Sequence, residues 1–327
     1  MSPSAPSSTT SDFPPTRVLR IATRHSPLAM WQAEHVAMLL NQAGFETEIV
    51  PLVSSGDIDM RPIDSTRQVG VFTKRIQQAL IDDEADIAVH SLKDLPTEQD
   101  PRLQLVAVPK REAVNDCLVS LHRYSINSLP EKARIGTGSR RRAAQLKHRR
   151  PDLTIEPIRG NLQTRLEKLN SSEYDAIMLA SAGLTRLKMD AVPRVELPLE
   201  EMLPAPGQGA LAIETLASAS DVITKASCLN SIESRAAITA ERTLLANLNG
   251  GCLAPIAAYS HIQNGVQSLR AIVLSTDGQE RLEDERSAPF DPSVWQAVAT
   301  ELANQATENL ANRGARELIH RGRDDAQ

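Results

Sequence analysis

Asp86-Ile87-Ala88-Val89-His90-Ser91-Leu92-Lys93-Asp94-Leu95-Pro96 decides how the rest of the chain is read. Ile87 to Val89 is a short, unbroken apolar run, the pattern of a strand buried on both faces. Polar residues take over within two positions, and Pro96, which has no amide hydrogen, cannot extend a ladder. Such a strand belongs in an open α/β sheet, where ligands gather just beyond the carboxyl ends of the strands. Lys93 and Asp94 fall at one of these ends. On an extended chain they point to opposite sides, so one of them faces the cleft. A carboxylate there suits a cation, and a lysine suits an anion. An isolated Lys-Asp pair is otherwise a common surface ion pair.

Upstream, residues 1–16 are rich in Ser, Thr and Pro, lack periodicity and read as a disordered tail. Val18 to Ala22 is a strand running into Thr23-Arg24-His25-Ser26-Pro27. Ser26 suits an N-cap and Pro27 the first helical position, and Leu28, Trp31, His35, Val36 and Leu39 then share a helical face. Arg24 and Ser26 therefore sit at a strand end and helix start, where backbone amides favour anions. Thr47 to Val53 is a second strand. Ser54 to Val69 is a polar loop of the length used for lids, and Phe72 to Ile81 is a helix. Strands alternating with helices predict a doubly wound, parallel α/β lobe.

Leu103 to Val108 is a further strand, and Cys117 to Leu121 opens a second α/β unit. Arg134 to Ser139 is a short strand ending in Thr137-Gly138-Ser139, followed by a helix over 140–149 with Arg140, Arg141 and Arg142 in its first turn. Cations at a helix N-terminus oppose the macrodipole by about 0.3–1 kcal/mol each. A glycine turn, a capping hydroxyl and several guanidiniums together point to an anion. Arg159-Gly160-Asn161 with Arg165, and Ser181-Ala182-Gly183-Leu184 with Arg186, repeat the theme after two more strands. Several arginines at equivalent strand ends suit a polycarboxylate or phosphate. Leu203 to Gly209 is a turn-rich crossing, and Ala210 to Glu214 returns to the first lobe, making a hinge.

Ile232 to Leu248 is a helix ending at Asn249-Gly250-Gly251, with Cys252 next. Ile256 to Ile262, Leu269 to Leu274 and Leu282 to Arg286 are strands joined at Asn264-Gly265 and Asp277-Gly278, both hairpin signals. A helix from Pro292 to about Arg313 completes a small antiparallel α+β domain. A lone buried cysteine is ordinarily a small hydrophobe, and Cys252 has no Cys-x-x-Cys partner to suggest a metal. The predicted division is 17–109 plus 210–228, 110–209 and 229–327.

The chain has 327 residues, 41% of them hydrophobic, and 36 basic residues stand against 41 acidic ones for a net charge of -5. That balance disfavours general nucleic-acid binding, so a local basic cluster reads as a pocket for a small anion. No apolar run approaches a membrane span, the N-terminus lacks a secretory signal, and three scattered cysteines make no disulfide framework. The expectation is a cytoplasmic protein.

The ordered motifs resemble one family, the hydroxymethylbilane synthases or porphobilinogen deaminases. The resemblance is carried by Arg20 to Ala29, His90 to Pro96, Arg159-Gly160-Asn161 with Thr164-Arg165-Leu166, Pro206-Gly207-Gln208-Gly209-Ala210, Ala240-Glu241-Arg242, Gly250-Gly251-Cys252 and Arg313 to Glu317. It implies two periplasmic-binding-protein-like lobes, a hinge and a small C-terminal domain. It also implies a transferase that joins four porphobilinogen molecules head to tail, releasing ammonia each time, and yields hydroxymethylbilane. The resemblance assigns Cys252 as the thioether attachment of a dipyrromethane cofactor and Asp94 as the carboxylate that stabilises cationic pyrroles. Arg24, Ser26, Phe72, Lys93, Thr137, Ser139, Arg141, Arg142, Arg159, Arg165, Arg186 and Gln208 would bind cofactor and substrate, with no metal. Each pyrrole brings two carboxylates, so many guanidiniums fit the task. The enzyme is expected to act as a monomer on a small molecule, without nucleic acid or membrane. Three departures stand out: Ser65-Thr66-Arg67-Gln68-Val69-Gly70-Val71 stands where the family usually carries lysines and glycines, Thr137-Gly138-Ser139-Arg140 replaces the usual Thr-Ser-Ser-Leu, and Pro206 replaces a usual valine. The rival readings are a solute-binding protein and an inactive homologue that only binds pyrroles.

Overall fold

The computed structural model describes residues 18–53, 73–249 and 254–324. The chain opens with β1 (Leu19–Arg24), α1 (Pro27–Gln42), β2 (Thr47–Leu52), α2 (Lys74–Ile81), β3 (Ile87–Ser91), a 3-10 turn (Leu92–Asp94) and β4 (Leu103–Ala107). It crosses to β5 (Asp116–Val119), β6 (Arg134–Gly136), α3 (Arg140–Arg149), β7 (Thr154–Glu156), α4 (Leu162–Asn170), β8 (Ala176–Ala180), α5 (Ser181–Arg186) and β9 (Arg194–Glu196). It crosses back to β10 (Leu211–Leu216) and α6 (Ser220–Ser227). The last stretch holds α7 (Ile232–Asn247), β11 (Ile256–Gln263), β12 (Val266–Leu274), β13 (Arg281–Pro289), α8 (Trp295–Asn312) and α9 (Ala315–Asp324).

The first sheet runs β2-β1-β3-β10-β4 and the second β7-β6-β8-β5-β9. Successive side chains on a strand face opposite layers. Ile21, Ile87 and Val89 accordingly pack with Val36 and Leu40 of α1, while Ala22 and Ala88 pack with Ile76 and Leu80 of α2. Each fully buried Leu or Ile contributes about 1.5–3 kcal/mol. The alternation of strand and helix at the start of the chain gives the expected parallel pairing of β1 with β2 and with β3. β10 runs antiparallel to β3 and β4, and β5 runs antiparallel to β8 and β9. Both strands arrive by crossing from the other lobe and not over a helix, so nothing forces them parallel. The two crossings join two mixed α/β lobes built on one plan.

The third sheet is the antiparallel meander β11-β12-β13. Asn264 and Gly265 form its two-residue turn, with φ of 53° and 74°. A type I′ turn needs positive φ at both positions, which Asn-Gly supplies. Leu244, Leu248, Leu302, Leu310 and Leu318 close the core beneath it. Glu241 of α7 ties the third domain to the two segments that cross between the lobes. It takes a bidentate pair from Arg111 at 2.6 and 2.9 Å and the amides of Gly207 and Ser260 at 2.7 and 2.8 Å. Among the described residues, no helix is long and apolar enough to cross a membrane.

Candidate active site

The cleft begins at the carboxyl ends of β1 and β3. Arg24, Ser26, Gln32, His90, Ser91 and Asp94 line it. Pro27 opens α1 with Ser26 as its extended cap residue, which brings Ser26 beside Arg24. Gln32 Nε2 donates to Ser91 Oγ at 2.8 Å, joining α1 to the end of β3. His90 and Glu214 are buried together, with Nε2 3.1 Å from Oε2. Burial alone would push the Glu214 carboxyl up; His90 reverses this and holds it below its ordinary range.

Lys93 and Asp94 do not continue an extended chain, contrary to expectation. Leu92 and Leu95 are both buried, at 0% and 4% exposure, and one 3-10 turn is the local way to bring two residues three apart to the same side. Asp94 is exposed on the cleft side, whereas Lys93 is half-buried and turns inward. Lys93 Nζ donates to Gln208 Oε1 at 3.2 Å. Gln208 Nε2 donates to Val114 O at 2.7 Å and to Asp116 Oδ1 at 2.8 Å. Asp116 Oδ1 then accepts from Arg142 Nη2 at 2.7 Å, and Oδ2 forms an ion pair with Arg141 Nη1 at 2.7 Å. A continuous polar chain thus crosses the hinge from the first lobe to the second.

Several of the expected residues belong to this network or lie close to it. Arg141 and Arg142 are buried on Asp116, and Arg141 also donates to Leu203 O and Arg142 to Met178 O. Arg186 is buried too: it donates to Gly209 O at 2.7 Å and its guanidinium carbon lies 5.7 Å from the centre of the Trp31 ring. Gln208 is fully buried, so it stands behind the cleft wall and not in it. Buried guanidiniums need partners, and the protein supplies these from its own backbone and Asp116. Thr137 is buried, and Ser139 caps α3 by accepting the Arg142 amide. Arg165 Nε donates to Gly160 O at 2.9 Å, and Arg159 is half-buried beside it. Phe72, Cys252 and the loop from Ser54 to Val69 lie outside the described residues.

The electrostatics are those of a site with too many cations. Burial, and after it Arg142, pushes Lys93 down to about 8, with Asp94 and Asp116 opposing. Burial, then Arg142, takes Arg165 down to about 10, with Asp94 again opposing. Burial likewise lowers Arg186 to about 10. Burial would raise the Asp116 carboxyl, but Arg141 and Arg142 hold it well below the usual carboxylate range. Asp116 and Glu214 were missed in the sequence. The available signal was a carboxylate inside a fully apolar strand, Asp116-Cys117-Leu118-Val119, which a fold tolerates only when paired.

Sequence comparison matches residues 19–224 to the porphobilinogen deaminase dipyrromethane cofactor binding domain and residues 236–310 to the porphobilinogen deaminase C-terminal domain. The chain belongs to the porphobilinogen deaminase family. It is accordingly a transferase of tetrapyrrole biosynthesis that polymerises porphobilinogen into hydroxymethylbilane on a dipyrromethane primer. Among solved structures it is similar to an ancestral cationic amino acid solute-binding protein, at 14% identity, covering 65% of this chain and 87% of that one with a TM-score of 0.43. A periplasmic arginine-binding protein of Salmonella typhimurium is 12% identical over 65% of this chain and 91% of that one, at a TM-score of 0.39. TM-scores below 0.5 decide nothing, and the two-lobed deaminase fold rests on the strand orders described above. A cation-rich cleft fits the dipyrromethane primer, whose pyrroles each carry two carboxylates: Arg165 is disfavoured as a cation by burial and by Arg142 and Arg159 together.

Proposed function

We propose that Asp94 is the catalytic carboxylate of this deaminase and that Cys252 carries the primer. Porphobilinogen loses ammonia to leave a cationic methylene-pyrrole, which the next bond consumes. The observation that carries the reading is the position of Asp94: an exposed carboxylate at the end of β3, lining the cleft with Arg24 and close enough to Lys93 and Arg165 to favour their charged forms. A fixed anion in a partly dry cleft stabilises a developing cation without reorganising. Dipyrromethane, when bound, supplies the pyrrole carbon on which the chain grows. Arg24, Arg159 and Arg165 would take acetate and propionate groups, with Ser26 at the start of α1 as a further donor. Arg141, Arg142, Arg186 and Lys93 would contribute positive field from behind, and Thr137 and Ser139 would hold the α3 turn in place. Gln208 would keep Lys93 aligned.

The division of labour follows the expected domains: 17–109 plus 210–228 present Asp94, 110–209 present the arginines, and 229–327 present Cys252. We further infer a cytoplasmic monomer acting on a small molecule and not on nucleic acid, which the net charge of -5 supports. The test pairs two measurements. The wild-type intact mass should exceed the chain mass by one dipyrromethane, and the excess should vanish in Cys252→Ser. Asp94→Asn, loaded with preassembled primer, should remain folded and keep the adduct while turnover falls about 100- to 1,000-fold. Unmodified but active wild type overturns the Cys252 assignment. Near-normal turnover in Asp94→Asn overturns the catalytic one.

A further inference from the structure

Helix α7 presents a stripe to the first lobe. Arg235, Ile238 and Arg242 recur at i, i+3 and i+7 and so share one face. Arg235 Nη2 donates to Leu105 O at 2.7 Å. Ile238 packs into the cluster formed by Leu92, Leu95, Leu105, Val108, Ala210 and Ala212. Arg242 reaches furthest: Nη1 donates to Leu92 O at 3.3 Å and to Leu95 O at 3.1 Å, and Nη2 donates to Pro96 O.

Those three carbonyls frame the 3-10 turn Leu92–Asp94. Within the turn, the Leu95 amide donates back to Leu92 O at 3.1 Å, and the Leu92 amide is held by Ala210 O at 3.0 Å. Leu92 O thus accepts from both the Leu95 amide and Arg242, while Leu95 O and Pro96 O, just past the turn, face the same guanidinium. The planar fork of Arg suits this; a lysine ammonium would reach one carbonyl well and the others poorly. The charge of Arg242 is also felt at Glu214, the partner of His90.

We infer that Arg242 is a positioning residue for Asp94: through the turn carbonyls, the third domain sets where the catalytic carboxylate stands in the cleft. The inference rests on the reading of Asp94 given above.

The experiment is a double-mutant cycle on the primer-loaded enzyme with hydrogen exchange beside it. Arg242→Met keeps the stem and removes the donors. A carboxylate displaced by about 1 Å loses on the order of 100-fold in rate, so kcat should fall about 10- to 100-fold. KM for porphobilinogen should move by no more than about twofold, because carboxylate-binding groups are untouched. Exchange at the Leu95 amide should accelerate while β12 amides keep their protection. In the Asp94→Asn background, Arg242→Met should lower the residual rate by no more than about twofold, the scatter of independent changes. Arg242→Lys should show the same coupling with a smaller loss and carries the cycle if Arg242→Met does not fold. Wild-type kcat in Arg242→Met, unchanged Leu95 exchange, or losses that multiply in full in the Asp94→Asn background each overturn the positioning role. Impaired Asp94→Asn with multiplying losses removes this inference alone; fully active Asp94→Asn removes the catalytic reading beneath it.

Discussion

Replacing Asp116 by Asn should damage this protein more than any change in the cleft wall. Asp116 is fully buried, and Arg141 and Arg142 beside it are exposed by only 4% and 6%. Oδ1 accepts from Arg142 at 2.7 Å and from Gln208 at 2.8 Å, and Oδ2 is ion-paired with Arg141 at 2.7 Å. Asn keeps the volume and one acceptor oxygen but leaves two buried cations without an anion. Removing one partner of a buried ion pair typically costs about 3–5 kcal/mol. For domains of 150–250 residues each 1 kcal/mol moves Tm by about 2–4 °C, so a fall of roughly 6–20 °C is expected. Thermal unfolding at pH 7 measures it. Arg142→Met in the same background should recover part of the loss, since one uncompensated charge goes with it, and the two changes should be less than additive. Because the folded carboxyl lies well below its ordinary range, the wild-type contribution is present above pH 4 and fades only as acid reaches the lowered folded value. A Tm drop under about 2 °C for Asp116→Asn, or strict additivity with Arg142→Met, would refute the idea that this carboxylate neutralises the lobe junction.

Lys93 gives a pH test. Its folded value near 8 means that the cation is lost as pH rises through 8, so kcat/KM for porphobilinogen should decline there. Stability should move oppositely: between about 8 and the unfolded value of about 10.4 the unfolded chain holds more protons, so the fold gains as pH rises. Lys93→Gln should erase both features, and an unaltered alkaline limb in the rate profile rules out Lys93 as its origin. Gly207→Ala gives a packing test. At φ +78° an added Cβ would meet Leu92 Cδ2 at 2.3 Å, pressing on the turn that carries Asp94. Both Tm and kcat should fall, whereas Gly265→Ala, at φ +74° with no described atom within 4 Å, should show only the backbone term of about 1–2 kcal/mol and normal kcat. Equal effects at the two glycines would discount the contact with Leu92.

Much of this was readable residue by residue. The run Ile87 to Val89 has 0–3% exposure and lies mid-sheet, as an unbroken apolar triplet demands. Asn264-Gly265 turns the hairpin, and Ser139 caps α3, because those side chains act on backbone within three residues. What escaped depended on partners elsewhere. β9 and the return direction of β10 have no local mark of orientation. Lys93 left the extended path because Leu92 and Leu95 both had to reach one core. Arg141, Arg142 and Arg186 face inward, since Asp116 and the Gly209 carbonyl were not visible in the sequence as their partners.

Local pattern and ordered motifs alone therefore settled that two α/β lobes and an antiparallel third domain exist, that the chain resembles the deaminases, and that Asp94 stands at a strand end. These follow from hydrophobic period, caps and turns, each a matter of neighbours in sequence. Only the tertiary structure decided which cations meet anions, that Gln208 relays Lys93 to Asp116, and that Arg242 grips a turn from 147 positions beyond Leu95. Contacts at that separation leave no periodic trace in the chain; they arise when buried carbonyls and charges, brought together by sheet order and helix packing, must find partners or leave the interior.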